Sequence, residues 1–230
     1  LIVTSPPYFA LRSYRDDGEH YDGQIGSEAT PQEFLDALWA VTRECVRVLK
    51  PSGSLWVNLG DKYATQNPHQ DGHRRDNPVA SKSLMGLPWR YAIGCIDNLG
   101  LTLRAEVVWS KPNGLPESVK DRVRRSHEQW FHFTTGPRYF SAIDEIREEY
   151  LSDSSGFNGQ QKDYGEYERR DGGRVGVGEQ NALGKVPGSV WSIPSEPLKV
   201  PDDLGVDHFA AFPQEWPRRL ILGWCPADGV

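Results

Sequence analysis

The stretch TPQEFLDALWAVTRECVRVLKPSGSLWVNL, residues 30–59, predicts a helix followed by a buried strand. Thr30 is expected as the N-cap, with Pro31 at the first helical position and Glu33 completing a capping box. The residues that then continue at helical spacing are Phe34, Leu35, Leu38, Trp39, Thr42, Cys45, Val46 and Leu49. A Lys-Pro-Ser-Gly turn ends the helix, and the apolar run over 54–59 predicts the strand.

A second buried strand precedes this unit. Leu1-Ile2-Val3 is typical of the end of such a strand, and Ser5-Pro6-Pro7 stops it. A strand, a helix and a strand in this order favour a right-handed parallel crossover. Further along the chain, the pattern predicts helices over 88–99, 142–150 and 215–222, and strands over 101–110 and 129–134. Residues 62–83 are expected to form a mobile loop, residues 187–213 look irregular, and the last residues look like a turn that enters another strand. The chain is therefore expected to be an α/β protein.

Length and composition narrow the class of protein. The 230 residues fit one large domain, or one domain with a small embedded module. Three widely separated cysteines give neither a disulfide framework nor a CxxC zinc pair, which favours a reduced, cytoplasmic setting. No run approaches 18 apolar residues, so no membrane segment is expected. The chain lacks an initial Met and contains a single Met, so we expect it to be part of something longer.

The charge is unevenly distributed. The formal net charge is -6, which argues against a wholly basic nucleic-acid binder. Between residues 111 and 125, however, five cations face two carboxylates, a local charge of +3. A patch of this kind fits phosphate contacts, and the alternative is an ordinary solvated face.

Ser5-Pro6-Pro7-Tyr8 lies where ligands bind in an open α/β sheet, directly after a strand. Two consecutive prolines remove two N–H donors and leave carbonyls that only accept hydrogen bonds. Ser5 adds another acceptor and Tyr8 adds a flat ring. Together they suit a planar group with an exocyclic amine, such as adenine or cytosine. The alternative is a plain Pro-Pro turn with a packing tyrosine.

Thr4-Ser5-Pro6-Pro7-Tyr8 resembles motif IV of the amino-group DNA methyltransferases, which methylate N4 of cytosine or N6 of adenine. Four further blocks are similar to that family, in the same order along the chain. They are VLKPSGSLWVNLGD (48–61), EVVWSKPNGLPES (106–118), RSHE (125–128) and HFAAFP (208–213). A lone SPPY is a weak signal, whereas five blocks spanning the whole chain are a strong one.

The order of the blocks resembles the permuted arrangement called the beta class. The block at 208–213 resembles motif X, and in this class the glycine-rich cofactor loop follows motif X. CPADGV, residues 225–230, is similar to the residues just before that loop. We therefore expect the chain to be truncated before the glycine-rich motif.

The resemblance implies a three-layer, doubly wound, Rossmann-like sheet that is incomplete, with a small irregular insert. Residues 1–150 would form the target-base half of the catalytic core. Residues 151–186 would form a loop or insert that recognises the target sequence, and residues 187–230 would return to the core. The implied cofactor is S-adenosylmethionine, whose methionine end His208, Phe212 and Pro213 would flank.

The resemblance also implies the catalytic chemistry. The target base would flip out of the duplex and stack on Tyr8, while Ser5 and the carbonyl of Pro6 accept hydrogen bonds from its amine. Pro7 holds this loop rigid. Asp61, just past a strand end, either lines the same pocket or caps a loop. The expected partner is double-stranded DNA, in a bacterial or phage-encoded cytoplasmic protein of restriction-modification type.

Contacts with DNA are assigned to the basic stretch and its neighbours. The residues expected to bind phosphates or base edges are Lys111, Asn113, Ser118, Lys120, Arg122 and Arg125. No metal is expected, because His69 and His73 lie among Pro, Asp and Gly rather than on a helix. His127-Glu128 either positions DNA or forms a buried structural pair.

Two alternatives stay open. SPPY favours N4 of cytosine within the family, yet Ser, Asp and Asn all accept from an amine, so N6 of adenine is the second candidate. A different class of function is a non-catalytic DNA-binding remnant that lacks the cofactor loop.

Overall fold

A five-stranded sheet forms the centre of the computed structural model, which describes residues 1–11, 23–65, 79–150, 181–197 and 211–229. The strands are β1 (Ile2–Thr4), β2 (Ser54–Leu59), β3 (Thr102–Ser110), β4 (His127–Thr134) and β5 (Val190–Ser192). Their order across the sheet is β1-β2-β4-β3-β5.

The strand directions bring several chain ends to one edge of the sheet. β1 and β2 are parallel, as predicted, and β3 and β5 are parallel to each other. β4 runs antiparallel to both of its neighbours, β2 and β3. Consequently β1, β2, β3 and β5 all end at the edge where β4 begins. We call this the C-terminal edge.

Helix α1 spans Pro31–Val48 and starts as predicted. The hydroxyl of Thr30 accepts from the Glu33 N–H at 3.2 Å, and the Glu33 carboxylate accepts from the Thr30 N–H at 3.1 Å. This reciprocal pair satisfies two N–H groups that a helix start leaves without partners. The capping box is confirmed.

Helix α2 spans Leu87–Asp97, slightly shorter than the predicted 88–99. Gly100 ends it as expected, with φ of +65° and its N–H bonded to the carbonyl of Ile96 at 3.1 Å. The left-handed conformation costs glycine little, since it has no Cβ.

The helices cover both faces of the sheet. Helices α1 and α2 pack with Leu55, Val57 and Leu59 on one face. Helix α3, Glu215–Trp224, packs with Trp56 on the other face. Successive β2 side chains point to opposite faces, and both faces are buried. The expectation of a three-layer α/β sheet is therefore confirmed.

Three expectations about the second half of the chain differ from the structure. The prediction of a helix over 142–150 is wrong. This segment forms a single 3₁₀ turn, Ile143–Ile146. Strand β5 lies inside the segment that looked irregular, and it pairs with β3 through only three residues. Helix α3 extends two residues beyond its predicted end.

Some predictions fall outside the described residues. They concern most of the loop over 62–83, residues 151–180 of the insert, and His208. Within the described ranges, no helix has the length and apolar character needed to cross a membrane. The same ranges contain no group of three His, Cys, Asp or Glu side chains that could hold a metal ion.

The contact between α1 and α2 depends on Gly94. A Cβ at this position would lie 2.0 Å from Cζ2 of Trp39, and the Trp39 indole is fixed by donating to the carbonyl of Tyr91 at 3.0 Å. We expect Gly94→Ala to lower the free energy of unfolding in urea by about 1–3 kcal/mol, the range for overpacked cores. Gly136→Ala is the control, because no atom lies within 4 Å of its added Cβ. Equal effects of the two substitutions would contradict this account.

His132 makes the fold sensitive to acid. Its ring stacks on Trp56 at 4.4 Å and bonds to the Ser54 hydroxyl at 2.9 Å. Burial, with a smaller contribution from Arg104, lowers the pKa of His132 to about 3. An unfolded chain protonates this histidine near pH 6.5 and the folded chain does not, so stability falls as the pH drops below about 6.5.

The test compares the parent with His132→Phe, which keeps a stacked ring and does not titrate. Between pH 7 and pH 5, we expect the parent to lose about 2 kcal/mol more unfolding free energy than the variant, at about 1.4 kcal/mol per pH unit. Urea titrations at both pH values measure this difference. Identical losses in the two proteins would show that His132 does not cause the acid sensitivity.

Candidate active site at the C-terminal edge

The Ser5-Pro6-Pro7-Tyr8 loop begins where β1 ends and lies beside the end of β2. Two of its side chains bond to the buried Asn58 of β2. The Ser5 hydroxyl donates to Asn58 Oδ1 at 3.3 Å, and the Tyr8 hydroxyl lies 2.9 Å from the same oxygen. Asn58 Nδ2 donates to the carbonyl of Gln129 on β4 at 3.0 Å, which turns Oδ1 toward the loop. One buried amide therefore connects the loop to two strands.

Two glycines shape the space around Tyr8. A Cβ on Gly60 would lie 2.6 Å from Cε2 of the Tyr8 ring, so the ring rests against the Gly60 backbone. A Cβ on Gly26 would lie 2.7 Å from the Tyr8 carbonyl oxygen, and Gly26 has φ of +96°. The Gly26 carbonyl also accepts from the Ala10 N–H at 2.7 Å. These close approaches fix both the ring and the backbone of Tyr8.

A carboxylate on β4 completes the surroundings of Tyr8. The Tyr8 hydroxyl lies 2.8 Å from Glu128 Oε2, so Asn58 and Glu128 share its single proton as acceptors. The other oxygen of Glu128 is ion-paired with Lys111 at the end of β3. Lys111 Nζ also lies 4.0 Å from the centre of the Trp109 ring. The chain of contacts Tyr8–Glu128–Lys111 thus ties the loop to β4 and β3.

Asp61 holds the start of α2. Its carboxylate accepts from the N–H groups of Gly86 at 3.0 Å and Leu87 at 3.2 Å, and from its neighbour Lys62 at 3.0 Å. The N-cap of α2 is Gly86, which has no side chain to perform this function. Of the two roles expected for Asp61, the geometry favours the cap.

All six residues predicted to bind DNA lie on the loop over 111–126, which joins β3 to β4 at the C-terminal edge. We call it the β3–β4 loop. Three of its predicted contacts already have partners. Lys111 pairs with Glu128, Asn113 exchanges two hydrogen bonds with the backbone of Ser195, and Arg122 pairs with Glu117. The guanidinium of Arg122 also lies 3.7 Å from the centre of the Tyr63 ring.

The other three predicted DNA contacts have weaker ties to the protein. Ser118 and Lys120 are exposed, and Arg125 is half-buried, with a long 3.5 Å side-chain bond to the carbonyl of His127. Burial and the charge of Arg125 lower the pKa of His127. The predicted set is therefore divided into three residues with firm partners in the protein and three that are exposed or weakly bonded.

The segment predicted to flank the cofactor lies on the α3 face of the sheet. The Phe212 ring meets Trp130 of β4 edge-on at 5.4 Å, and Pro213 is buried just before α3. Trp130 is the register partner of Asn58. Phe212 therefore contacts the residue that lies opposite Asn58 in the sheet, and Asn58 is the residue that bonds Ser5 and Tyr8.

Sequence reasoning did not assign Asn58, Gly60 or Glu128 to this site. Asn58 had a recognisable signal, since it is a polar residue in an otherwise apolar strand, next to the strand end. Gly60 follows that strand, and a glycine after a strand often allows a close backbone approach. Glu128 became informative only once the structure paired β4 with β2 and β3.

The Lys111–Glu128 pair is expected to stabilise the fold. Its side chains are 20% and 17% exposed, so removal of the lysine leaves a poorly solvated carboxylate. Lys111→Met should lower the free energy of unfolding by about 1–2 kcal/mol, measured in urea. The control is Lys82→Met, whose pair with Asp121 is 83% and 67% exposed and should contribute little. Equal effects of the two substitutions would contradict a special role for this pair.

Comparison with known proteins identifies the family. The type II methyltransferase M.Cfr9I of Citrobacter freundii is 35% identical over 96% of this chain, and M.XycI of Xanthomonas campestris pv. cyanopsidis is 36% identical over 96%. The chain spans 64% of the length of each relative. A solved PvuII DNA methyltransferase (cytosine-N4-specific) shares the fold, with TM-score 0.61, 18% identity, and coverage of 99% of this chain and 64% of that one. The sequence model of the N6/N4 methyltransferase family, described as DNA methylase, matches residues 1–230, so the chain belongs to this family.

Proposed function

We propose that this protein is a site-specific, type II DNA methyltransferase. It transfers a methyl group from S-adenosylmethionine to the exocyclic amine of a flipped base, with N4 of cytosine as the favoured target. The observation that carries the proposal is the rigid Ser5-Pro6-Pro7-Tyr8 loop at the end of β1, whose two polar side chains are both bonded to buried Asn58. Two type II methyltransferases that are about one-third identical to the chain support the same assignment.

The loop suits an amine because its acceptors remain available. An exocyclic amine is a poor nucleophile, since its lone pair is delocalised into the ring. Ser5 gives its hydroxyl proton to Asn58 Oδ1, which leaves the oxygen's lone pairs to accept a bond from the amine. The carbonyl of Pro6 is a second acceptor. Two bonds of this kind would hold the amine hydrogens in place and direct the nitrogen lone pair away from the loop.

Tyr8 provides a preorganised platform for the base. Its ring is supported by Gly60, and its hydroxyl is held between Asn58 and Glu128. A ring fixed in advance loses little conformational entropy when a base stacks on it. Stacking also offsets part of the unstacking energy of a flipped base, which is a few kcal/mol.

Phe212 and Pro213 supply an apolar surface on the Asn58 side of the sheet, which suits the alkyl part of the implied cofactor. The Glu128 carboxylate at the same edge is already paired with Lys111 and bonded to Tyr8. S-adenosylmethionine supplies an electrophilic methyl group on a positively charged sulfur. We propose that Phe212 and Pro213 flank its methionine end, together with His208.

The choice of base rests on Ser5. A serine in the first position of this motif favours N4 of cytosine within the family that the sequence resembles, and N6 of adenine is the alternative. We further propose that Ser118, Lys120 and Arg125 contact DNA phosphates or base edges, and that residues 151–186 recognise the target sequence. Lys111, Asn113 and Arg122 would then act by shaping the β3–β4 loop, since each already has a protein partner.

The test uses the full-length enzyme with S-adenosylmethionine and plasmid DNA. We expect mass spectrometry of the digested DNA to show N4-methylcytosine. Ser5→Ala should lower kcat by roughly tenfold or more, because an acceptor that aligns the amine is lost. Tyr8→Phe, which keeps the stacking ring, should lower kcat less than Tyr8→Ala.

Val48→Ser serves as the control for these variants, because Val48 is 63% exposed at the end of α1, away from the proposed contacts. Detection of N6-methyladenine alone would overturn the choice of base. Absence of any methylated nucleoside with the parent enzyme would overturn the proposed function and favour a non-catalytic DNA-binding protein. A parent-like kcat for Ser5→Ala would remove Ser5 from the catalytic residues.

A further inference from the structure

The β3–β4 loop exposes two large apolar side chains to an unusual degree. Leu115 is 86% exposed and Val123 is 85% exposed. Among the large hydrophobic residues that the structure describes, the next most exposed is Val190 at 64%. Single exposed apolar residues are ordinary on protein surfaces. Leu115 and Val123, in contrast, are both almost fully exposed, and they lie in the outgoing and returning segments of one loop next to the candidate active site. Their exposure therefore needs a specific explanation.

The backbone of this loop is held by its own contacts. At its base, the Lys111 N–H donates to the carbonyl of Ser126 at 2.8 Å. Farther out, Glu117 accepts from the Arg122 guanidinium at 2.7 Å and from the Arg125 N–H at 3.4 Å. These bonds connect the outgoing and returning segments. The loop therefore presents Leu115 and Val123 from a braced support.

Charge beside these residues indicates what the loop meets. Lys120 and Arg124 are exposed, and neither forms an ion pair with any residue in the described ranges. Cations next to bare apolar side chains match duplex DNA, which combines a phosphate backbone with the apolar faces of stacked bases.

The location of the loop points to the same partner. Its first residue, Lys111, is paired with Glu128, which is bonded to Tyr8. The base of the loop is thus linked to Tyr8 through Glu128, so a duplex that delivers a base to Tyr8 would approach the edge of the sheet from which this loop projects. The base step next to the target is opened when a base leaves the stack, and an apolar side chain can fill that gap.

We infer that Leu115 and Val123 are wedge residues that enter the DNA at the step beside the target base and hold that base outside the helix. The inference rests on the proposed function and assigns to these residues a task separate from methyl transfer. Ser5 and Tyr8 would bind the base once it is out, whereas the wedge would favour its leaving the duplex.

The test compares the full-length enzyme with its L115S/V123S double variant. Sequencing of methylated bases in DNA from the expression host first identifies the target site. Methylation rates are then measured on a duplex with that site and on the same duplex with a mismatched base opposite the target. A mismatched base is already easier to extrude.

We expect the double variant to methylate the matched duplex about tenfold more slowly than the parent, and the mismatched duplex within about twofold of the parent rate. The matched control is Val48→Ser. Val48 is 63% exposed at the end of α1, near the opposite edge of the sheet where β2 begins, and its substitution should change neither rate.

Each other outcome overturns the inference. Parent-like rates on both duplexes would show that the two residues do not act on DNA and would favour another occupant, such as a second protein surface. Equal losses on both duplexes would place the defect in folding or general affinity rather than in base extrusion. If the parent enzyme methylates neither duplex, the proposed function fails and the wedge falls with it.

Discussion

The side-chain amide of Asn58 is the interaction on which the candidate site depends. This amide is buried between β2 and β4, and its nitrogen and oxygen bond to different parts of the structure. The nitrogen bonds to the β4 backbone, and the oxygen faces Ser5 and Tyr8. A buried amide without partners would cost the fold several kcal/mol. The same bonds that satisfy Asn58 therefore position the loop, so stability and site geometry have a common source.

Two of the charged side chains around the site form ion pairs within the protein. The sequence shows a patch of +3, yet Lys111 and Arg122 are each paired with a carboxylate of the same edge. Pairing at Glu128 keeps a half-buried anion beside Tyr8, which a solvent-facing lysine would not do. Two other cations of the loop, Lys120 and Arg124, are exposed. The patch is thus divided by pairing: Lys111 and Arg122 brace the site and the loop, and the exposed cations are left for the proposed phosphate contacts.

Local chemistry explains which elements the sequence predicted. Helix α1 was correct to its first residue because the Thr30–Glu33 capping box is formed by neighbours in the chain. Strand β5 was missed because its three residues become a strand only by pairing with β3. The helix predicted over 142–150 is a single 3₁₀ turn in the structure. The start of this turn is held by a distant residue, because the Ala142 N–H donates to the carbonyl of Gly223. The same contrast holds at the site. Ser5 and Tyr8 carry a local motif, whereas Glu128 joins them only through the pairing of β4.

The α3 face of the sheet links the two halves of the proposed reaction site. Trp216 of α3 stacks on Trp130 at 4.6 Å and on Trp191 of β5 at 4.9 Å. Phe212, just before α3, also contacts Trp130. Aromatic side chains bury large areas in fixed geometries, so a shift of α3 would disturb β4 as well as the segment that precedes the helix. Because β4 carries Glu128 and accepts the Asn58 bond, this packing couples the proposed cofactor side to the base side. The short strand β5, which the sequence pattern did not predict, takes part in this packing through the stacking of Trp191 on Trp216.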